Sequence, residues 1–257
     1  MTQASVKPIL VLKIGGNQVE DEAFLAEFVT VVRQLLADHS MILVHGGGKE
    51  IADLHAQTGV AYETVQGLRA TSEESLRLVE MVLNGLVNTR LVRWLVNNGV
   101  SAIGLTGIDL GLVRVTPMSI SGRSLGRVGR VQQVNGGALL QLLDLDLVPV
   151  ISPVSLGEDG LAYNVNADHV AAGVARAVEA RRLVFISNVP GVQVAGRTAR
   201  ALTVSQVEGL ISDSIVTGGM IPKVRSATEA VASGVHQAVI TDLAGLARGE
   251  GTAVVSG

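Results

Sequence analysis

Two lysines lie beside glycine-rich turns, where a positive charge has no evident structural use. Lys13 is near the end of an apolar segment and adjoins Gly15-Gly16, and Lys223 follows Gly218-Gly-Met-Ile-Pro222. Pro222 fits the first position of a helix, so Lys223 would lie at a helix N-terminus, where the macrodipole disfavours a cation unless an anion binds there. Burial of a lone ammonium is also costly. Together the two lysines indicate neutralisation of a bound anion, although each alone is compatible with an ordinary surface position.

Glycine clusters at Gly15-Gly16 and Gly46-Gly47-Gly48 each follow an apolar segment and precede a helical one. Glycine lets the backbone approach a ligand, and N–H groups at a helix N-terminus favour an anion. Two such turns predict a phosphate-sized cradle; the alternative is that they only turn strands into helices. Glu50 follows Gly48-Lys49 in place of Ser or Thr, and no G-x-G-x-x-G follows a predicted strand. A bound nucleotide would therefore not use the Walker or dinucleotide-binding route.

The segment Asn164-Val-Asn166-Ala-Asp168 opens a predicted helix. An N-cap would explain one asparagine, but it would not explain three polar residues at alternating positions. Asp168 is either a partner for the helix dipole or a carboxylate that holds the two lysines. His45 and His169 lack metal-ligand spacing, so we interpret them as structural and expect no protein-held metal.

Composition excludes several classes of function. The 257 residues carry a net charge of −3, which offers no electrostatic footprint for nucleic acid. No apolar run reaches the roughly 18–20 residues of a membrane span, and residues 1–7 lack an apolar stretch long enough for a secretory signal. The absence of cysteine excludes disulfides and thiolate sites. We expect a cytoplasmic protein.

Continuous apolar runs closed by glycine or polar turns predict strands covered on both faces. These predicted strands are 8–14, 41–45, 101–104, 148–154, 183–187 and 237–241, and the predicted helices are 21–39, 48–58, 72–98, 167–180, 204–212 and 222–233. Alternating apolar and polar residues predict antiparallel ribbons at 113–134 and 156–165. The pattern predicts an α/β fold, an open αβα sandwich with a mainly parallel central sheet. If there are two lobes, they divide near 180–182 and share that sheet.

The motifs taken together resemble the amino-acid kinase family over nearly the whole chain, from about 10 to 255. The residues that carry the resemblance are Lys13-Ile-Gly-Gly16, His45-Gly-Gly-Gly48, Gly67-Leu-Arg69-Ala-Thr71, Asn164-Val-Asn166-Ala-Asp168, Ser187-Asn-Val-Pro-Gly191 and Gly218-Gly-Met-Ile-Pro-Lys223. Within the family, the similarity is greatest to the members that phosphorylate N-acetyl-L-glutamate. Asn188 and Gly219 depart from the pattern, because many of those members have Asp there.

The resemblance implies a division of labour between two lobes. Residues 1–180 would bind the acyl substrate and carry a dimer interface, and residues 181–257 would bind the nucleotide. Lys13 and Lys223 would stabilise the transferring phosphoryl group and Asp168 would organise them, while Arg69 and Asn164 would hold the substrate α-carboxylate. The backbone amides would come from Gly15, Gly16, Gly47 and Gly48, and the nucleotide pocket from Ser187, Asn188, Gly191, Val192, Ile215, Val216 and Thr217.

The expected activity is transfer of a phosphoryl group from MgATP, as co-substrate, to the γ-carboxylate of N-acetyl-L-glutamate in arginine biosynthesis, by a homodimer. One alternative is a kinase for carrier-protein-linked α-aminoadipate or glutamate, which the Ser187-Asn-Val-Pro-Gly191 motif also resembles. Another is a non-catalytic nucleotide sensor on the same fold. A nicotinamide dehydrogenase is disfavoured because its glycine fingerprint is missing.

Overall fold

The computed structural model describes residues 7–257, so the prediction for the first six residues of the polar N-terminal segment lies outside the described part. The strands, in chain order, are β1 Ile9–Ile14, β2 Ser40–His45, β3 Glu63–Val65, β4 Leu68–Ala70, β5 Ala102–Gly107, β6 Val113–Ile120, β7 Arg123–Val134, β8 Val148–Gly157, β9 Ala162–Asn164, β10 Arg182–Ile186, β11 Gln193–Val194, β12 Arg197–Thr198, β13 Ala201–Thr203, β14 Ala238–Thr241 and β15 Thr252–Val255.

Helices alternate with the strands along most of the chain. They are α1 Glu22–Leu35, α2 Gly48–Thr58, α3 Glu73–Glu80, α4 Thr89–Asn97, α5 Gly136–Asp144, α6 Ala167–Ala177, α7 Val204–Ser212, α8 Met220–Ala232 and α9 Leu243–Arg248. A π-helical segment, Met81–Asn88, joins α3 to α4. No helix within residues 7–257 combines the length and apolarity needed to cross a bilayer.

One 11-stranded sheet forms the centre of the molecule, in the order β13-β15-β14-β10-β1-β2-β8-β6-β7-β9, with β5 paired to β8. The strands β14, β10, β1, β2, β8 and β5 run parallel in this sheet. Lys13 of β1 lies in register with Val44 on one neighbour and Phe185 on the other. The predicted α/β sandwich is confirmed, and β1 with its lysine lies near the middle of the sheet.

Both faces of the sheet are buried, as the continuous apolar strands predict. Val11 packs into the cluster that contains the buried side chains of α6 and α8, whereas Leu12 packs into the cluster on the opposite face with Leu25 and Phe28 of α1. All four side chains are fully buried. Burying such a side chain contributes about 1.5–3 kcal/mol, so successive residues of one strand stabilise two helical layers.

The predicted ribbons are present, with β6 antiparallel to β7 and the end of β8 antiparallel to β9. The predicted helix 72–98 is a continuous helical stretch with a π segment in its middle. Asn88 ends this segment, and its buried side chain donates hydrogen bonds to the Val150 and Leu105 carbonyls of the sheet. A π-helical turn has i→i+5 hydrogen bonds and holds more residues than an α-helical turn. The periodicity of the apolar residues does not reveal this change.

The predicted start of the helix that carries Lys223 is wrong by two residues. Helix α8 begins at Met220, so Pro222 occupies its third position rather than its first. Proline is tolerated there because the first four N–H groups of a helix have no intrahelical acceptor. The elements α5, α9, β13 and β15 are absent from the sequence prediction, since they are short or lack a distinctive pattern.

Candidate active site

The carboxyl ends of the central parallel strands bring Lys13 next to the first turn of α6. Lys13 Nζ lies 2.8 Å from Asp168 Oδ1, and each side chain is 19% exposed. Asn166 is the N-cap of α6, and its side chain accepts from the Asp168 N–H at 2.8 Å. The cap therefore uses Asn166 alone, which leaves Asn164 and the Asp168 carboxylate for other contacts.

The two glycine turns touch each other at this edge of the sheet. A Cβ atom added to Gly16 would lie 2.7 Å from the Gly48 nitrogen and 2.8 Å from Gly47 Cα. Only a residue without a side chain permits this approach of one backbone to another. The Gly15 N–H differs from the prediction, because it donates to Gln18 Oε1 at 3.2 Å and is not available to a ligand in this arrangement.

Lys223 lies in the first turns of α8 and contacts two neutral groups. Its Nζ donates to Ser187 Oγ at 2.6 Å and to Asn188 Oδ1 at 3.0 Å. Burial lowers the pKa of Lys223, and the positive charge of Lys13 lowers it further. Within residues 7–257, no carboxylate forms an ion pair with Lys223, so Asp168 pairs with Lys13 only and not, as predicted, with both lysines.

Ser226, one turn after Lys223 on α8, holds the second oxygen of Asp168. Its Oγ donates to Asp168 Oδ2 at 2.8 Å. The carboxylate is thus fixed between a cation on β1 and a hydroxyl on α8. No motif in the sequence points to Ser226 or to Gln18, whose Nε2 donates to the Ser187 carbonyl at 3.1 Å.

A cavity of about 260 Å³ opens beside the glycine turns. Arg69 lines it, and its Nη2 donates to the Gly48 carbonyl at 3.2 Å. Asn164 lines it as well, with its Nδ2 donating to Thr71 Oγ1 at 3.2 Å. Arg69 Nη1 is buried and has no hydrogen-bond partner in the described residues. The cavity is therefore lined by a guanidinium group and by the glycine backbone at the start of α2, a combination suited to a carboxylate ligand.

The segments predicted to line a nucleotide pocket are only partly available to a ligand. Val192 and Val216 are buried in the core, and the Val192 N–H donates to Thr252 Oγ1 at 2.8 Å. A Cβ on Gly191 would lie 2.6 Å from the same hydroxyl. Ile215 and Thr217 are exposed. Residues that are neighbours in the sequence motifs therefore differ in the structure, because some pack in the core and others are exposed.

His45 is a structural residue, as its lack of metal-like spacing predicts. It is completely buried, and its Nδ1 donates to the Gly46 carbonyl at 3.2 Å while its Nε2 accepts from Asn88 Nδ2 at 3.1 Å. These partners fix a neutral tautomer. Burial lowers the pKa of His45 to about 4. A neutral His45 therefore anchors the strand that leads into Gly46-Gly47-Gly48.

The assembled groups fit the transfer of an anionic group between two ligands. Two ammonium groups near each other repel unless an anion lies between or beside them, and free backbone amides add to the same positive field. Among the described residues, no cluster of three or more His, Asp or Glu side chains is arranged to hold a metal ion. The geometry offers charge neutralisation and alignment rather than acid–base catalysis.

Comparison with known proteins identifies the family. The model of the amino acid kinase family matches residues 8–242. The chain belongs to the amino acid kinase family. It is 50% identical over 239 residues to the acetylglutamate kinase of Chloroflexus aurantiacus, with 93% of each chain covered. It is 44% identical over 252 residues to the acetylglutamate kinase of Methanopyrus kandleri, covering 95% of this chain and 99% of that one.

A solved structure agrees with this membership. The Streptococcus mutans protein smu.665 is similar with a TM-score of 0.83 and 31% sequence identity, covering 97% of this chain and 99% of that one. The amino acid kinase fold thus extends over both the cavity and the residues around Lys223.

The contact between the glycine turns of this amino acid kinase predicts unequal tolerance to alanine. Gly16→Ala should lower the free energy of unfolding by about 1–3 kcal/mol, because its methyl group would overlap backbone atoms that cannot rotate away. Gly48→Ala is the matched control, since a Cβ there meets no atom within 4 Å. Urea unfolding measures both; equal stability of the two variants would contradict the close approach.

The buried His45 predicts a pH-dependent loss of stability. Between pH 6.5 and the folded pKa of about 4, the unfolded chain binds a proton that the folded protein excludes, so stability decreases as the pH decreases. The contribution is about 3 kcal/mol at about 1.4 kcal/mol per pKa unit. His45→Gln keeps an acceptor for Asn88 without titrating, and its unfolding free energy should decrease less over this range. Parallel pH profiles for the two proteins would refute the assignment.

Proposed function

We propose that the protein transfers the γ-phosphoryl group of ATP to the γ-carboxylate of N-acetyl-L-glutamate, giving an acyl phosphate and ADP, as a step of arginine biosynthesis. The observation that carries the proposal is the juxtaposition of Lys13, Lys223 and the paired glycine turns beside a carboxylate-binding cavity. The relatives supply the substrate, because chains 50% and 44% identical over nearly their full length are acetylglutamate kinases.

The acyl substrate would occupy the cavity with its α-carboxylate on Arg69. Arg69 and Asn164 both line the cavity, so a guanidinium group and a side-chain amide lie beside the proposed position of the carboxylate. The γ-carboxylate would then reach toward Gly47 and Gly48, where α2 begins. Helix N-termini favour negative charge, so both ends of the substrate meet positive electrostatic potential.

The reaction requires alignment more than proton transfer. A glutamate side chain has a pKa of about 4.3, so it is already an anion and a nucleophile at neutral pH. Its attack on the γ-phosphorus forms the new P–O bond as the bond to the β-phosphate oxygen breaks, and ADP leaves with that electron pair. The protein must neutralise the charge on the phosphoryl oxygens and on ADP. No general base is needed.

Lys13 and Lys223 would perform different parts of this task. Lys13 is held by the Asp168 carboxylate, so it is positioned but partly neutralised. Lys223 contacts the neutral Ser187 and Asn188 side chains, which leaves its full charge for the phosphoryl group or the ADP oxygens. Burial and, second to it, the positive charge of Lys13 lower the Lys223 pKa, and an anion between the two ammonium groups would remove the second cause.

The nucleotide belongs, in this proposal, to residues 181–257 and the acyl substrate to residues 1–180. Lys223 and its contacts lie in residues 181–257, and the cavity is lined by residues of 1–180. Asn188, Ile215 and Thr217 would contact ATP with their exposed side chains. Ser187 is buried and would act by orienting Lys223, whereas Gly191, Val192 and Val216 would contribute only packing or backbone. Mg²⁺ would enter bound to the ATP phosphates and neutralise part of their charge.

We further propose that the protein acts in the cytoplasm as a homodimer. Met81, Leu86 and Val96 are exposed apolar side chains on the helical stretch from α3 to α4, and a second copy that covers this helical surface would remove them from water. Light scattering should give about twice the chain mass of 26.6 kDa, and Met81→Glu should shift the protein toward monomer. A monomer mass for the parent would refute the dimer.

The two lysines give a direct test of the kinase mechanism. Hydroxylamine traps an acyl phosphate as a hydroxamate, so the parent protein with MgATP and N-acetyl-L-glutamate should yield it. Lys13→Ala and Lys223→Ala should each lower kcat by about 10²–10³-fold, the usual cost of removing one electrostatic contact to the transition state. Lys7→Ala is the matched control, because Lys7 donates to the Leu36 carbonyl away from the site.

The same assay separates the alternatives. If N-acetyl-L-glutamate gives no hydroxamate and carrier-linked α-aminoadipate gives product, the substrate is carrier-linked α-aminoadipate instead. ATP binding without turnover of any acyl substrate would favour a nucleotide sensor. Retention of more than half of kcat by Lys223→Ala would remove that lysine from the mechanism even if the substrate is correct.

A further inference from the structure

An aromatic ring lies against the guanidinium group of Arg69. The Arg69 Cζ atom is 3.8 Å from the centroid of the Tyr62 ring, a cation–π distance. Tyr62 immediately precedes β3, and Arg69 lies in β4, the second strand of the β3–β4 hairpin. Tyr62 does not line the cavity. It therefore acts on any ligand there only through Arg69.

The contacts of Arg69 define the plane of its guanidinium group. Tyr62 covers one face, and Nη2 donates to the Gly48 carbonyl at 3.2 Å. Nη1 is buried and has no hydrogen-bond partner among the described residues, so its position is set by packing rather than by a hydrogen bond. Burial lowers the pKa of Arg69, and Tyr62 opposes that shift. The guanidinium group is therefore held in one orientation beside the cavity that Arg69 lines.

Tyr62 is itself positioned by a buried histidine. The His55 and Tyr62 ring centroids are 4.7 Å apart. His55 is 2% exposed and bonded through both ring nitrogens, with Nδ1 donating to the Val60 carbonyl at 2.8 Å and Nε2 accepting from Ser75 Oγ at 3.1 Å. The exposed Tyr62 ring thus rests on a rigid ring that joins α2 to α3.

We propose that Tyr62 is a positioning residue that fixes the Arg69 guanidinium plane for recognition of the substrate α-carboxylate. This inference rests on the proposed function for its substrate. A planar fork binds a carboxylate through two parallel hydrogen bonds only when its plane is correctly oriented. Stacking on Tyr62 reduces the freedom of a long side chain before the ligand arrives, and this preorganisation increases affinity without a new ligand contact.

The kinetic test separates substrate binding from phosphoryl transfer. Tyr62→Leu should raise KM for N-acetyl-L-glutamate about three- to tenfold, the effect of losing a cation–π contact at a partly exposed site, with kcat and KM for ATP unchanged. Tyr62→Phe keeps the ring and should stay within about twofold of the parent. In an Arg69→Gln background, Tyr62→Leu should add nothing. A general loss of kcat, or equal effects of Leu and Phe, would overturn the proposal.

A second measurement does not depend on turnover. Phenylglyoxal modifies accessible arginines, and mass spectrometry gives the rate at Arg69 with no substrate present. Tyr62→Leu should increase that rate severalfold, Tyr62→Phe should not, and Arg248, exposed at the end of α9, should react equally in all variants. An unchanged Arg69 rate refutes the positioning role.

The two measurements also distinguish their own failures. If the parent makes no acyl phosphate from N-acetyl-L-glutamate but the Arg69 rate rises in Tyr62→Leu, the substrate assignment fails and the positioning of Arg69 is supported. If the parent is active and neither KM nor the Arg69 rate changes, the function stands and the role of Tyr62 fails. Equal urea midpoints for parent and variants show that folding is not the cause.

Discussion

The ion pair between Lys13 and Asp168 is the interaction on which the site depends. It joins the end of a central strand to the first turn of α6, where both side chains are only 19% exposed. Neither charge would be tolerated there alone, because an unpaired charge loses its hydration without compensation. The helix dipole also favours Asp168 in the first turn. The pair therefore determines where a positive charge emerges at the edge of the sheet, and Ser226 extends this control to α8.

The second lysine is held differently, and the difference has a chemical consequence. Neutral acceptors orient Lys223 without cancelling its charge, whereas a carboxylate would have cancelled it. In the proposed reaction, two ammonium groups that repel each other at rest would both stabilise a PO₃ group that passes between them. Their interaction with that group would increase as negative charge accumulates on it, which is the condition for catalysis rather than simple binding.

Much of the fold and part of the candidate site can be predicted from the sequence. Continuous apolar runs predicted the central strands to within a few residues, and the glycine turns marked the strand ends that meet at the site. The roles of Val192 and Val216 in packing could not be predicted, because a motif gives order along the chain but not which side of the backbone is buried. Ser226 and Gln18 act across 58 and 169 residues of sequence. No local spacing encodes such contacts, and an isolated Ser or Gln in a sequence is usually an ordinary polar residue without a role in a site.

These long-range contacts also show that the geometry of the candidate site is not built by one part of the chain alone. Gln18 ties the first glycine turn to the Ser187 carbonyl, and Asp168 ties Lys13 to the helix of Lys223. Each link crosses the position near residue 180 where the acyl-binding and nucleotide-binding regions are proposed to divide. A relative displacement of the two regions would therefore alter the spacing of the two ammonium groups directly. Because the electrostatic effect of each ammonium group decreases with distance, the hydrogen bonds that cross this boundary would belong to the catalytic arrangement of the proposed kinase even though they touch no substrate.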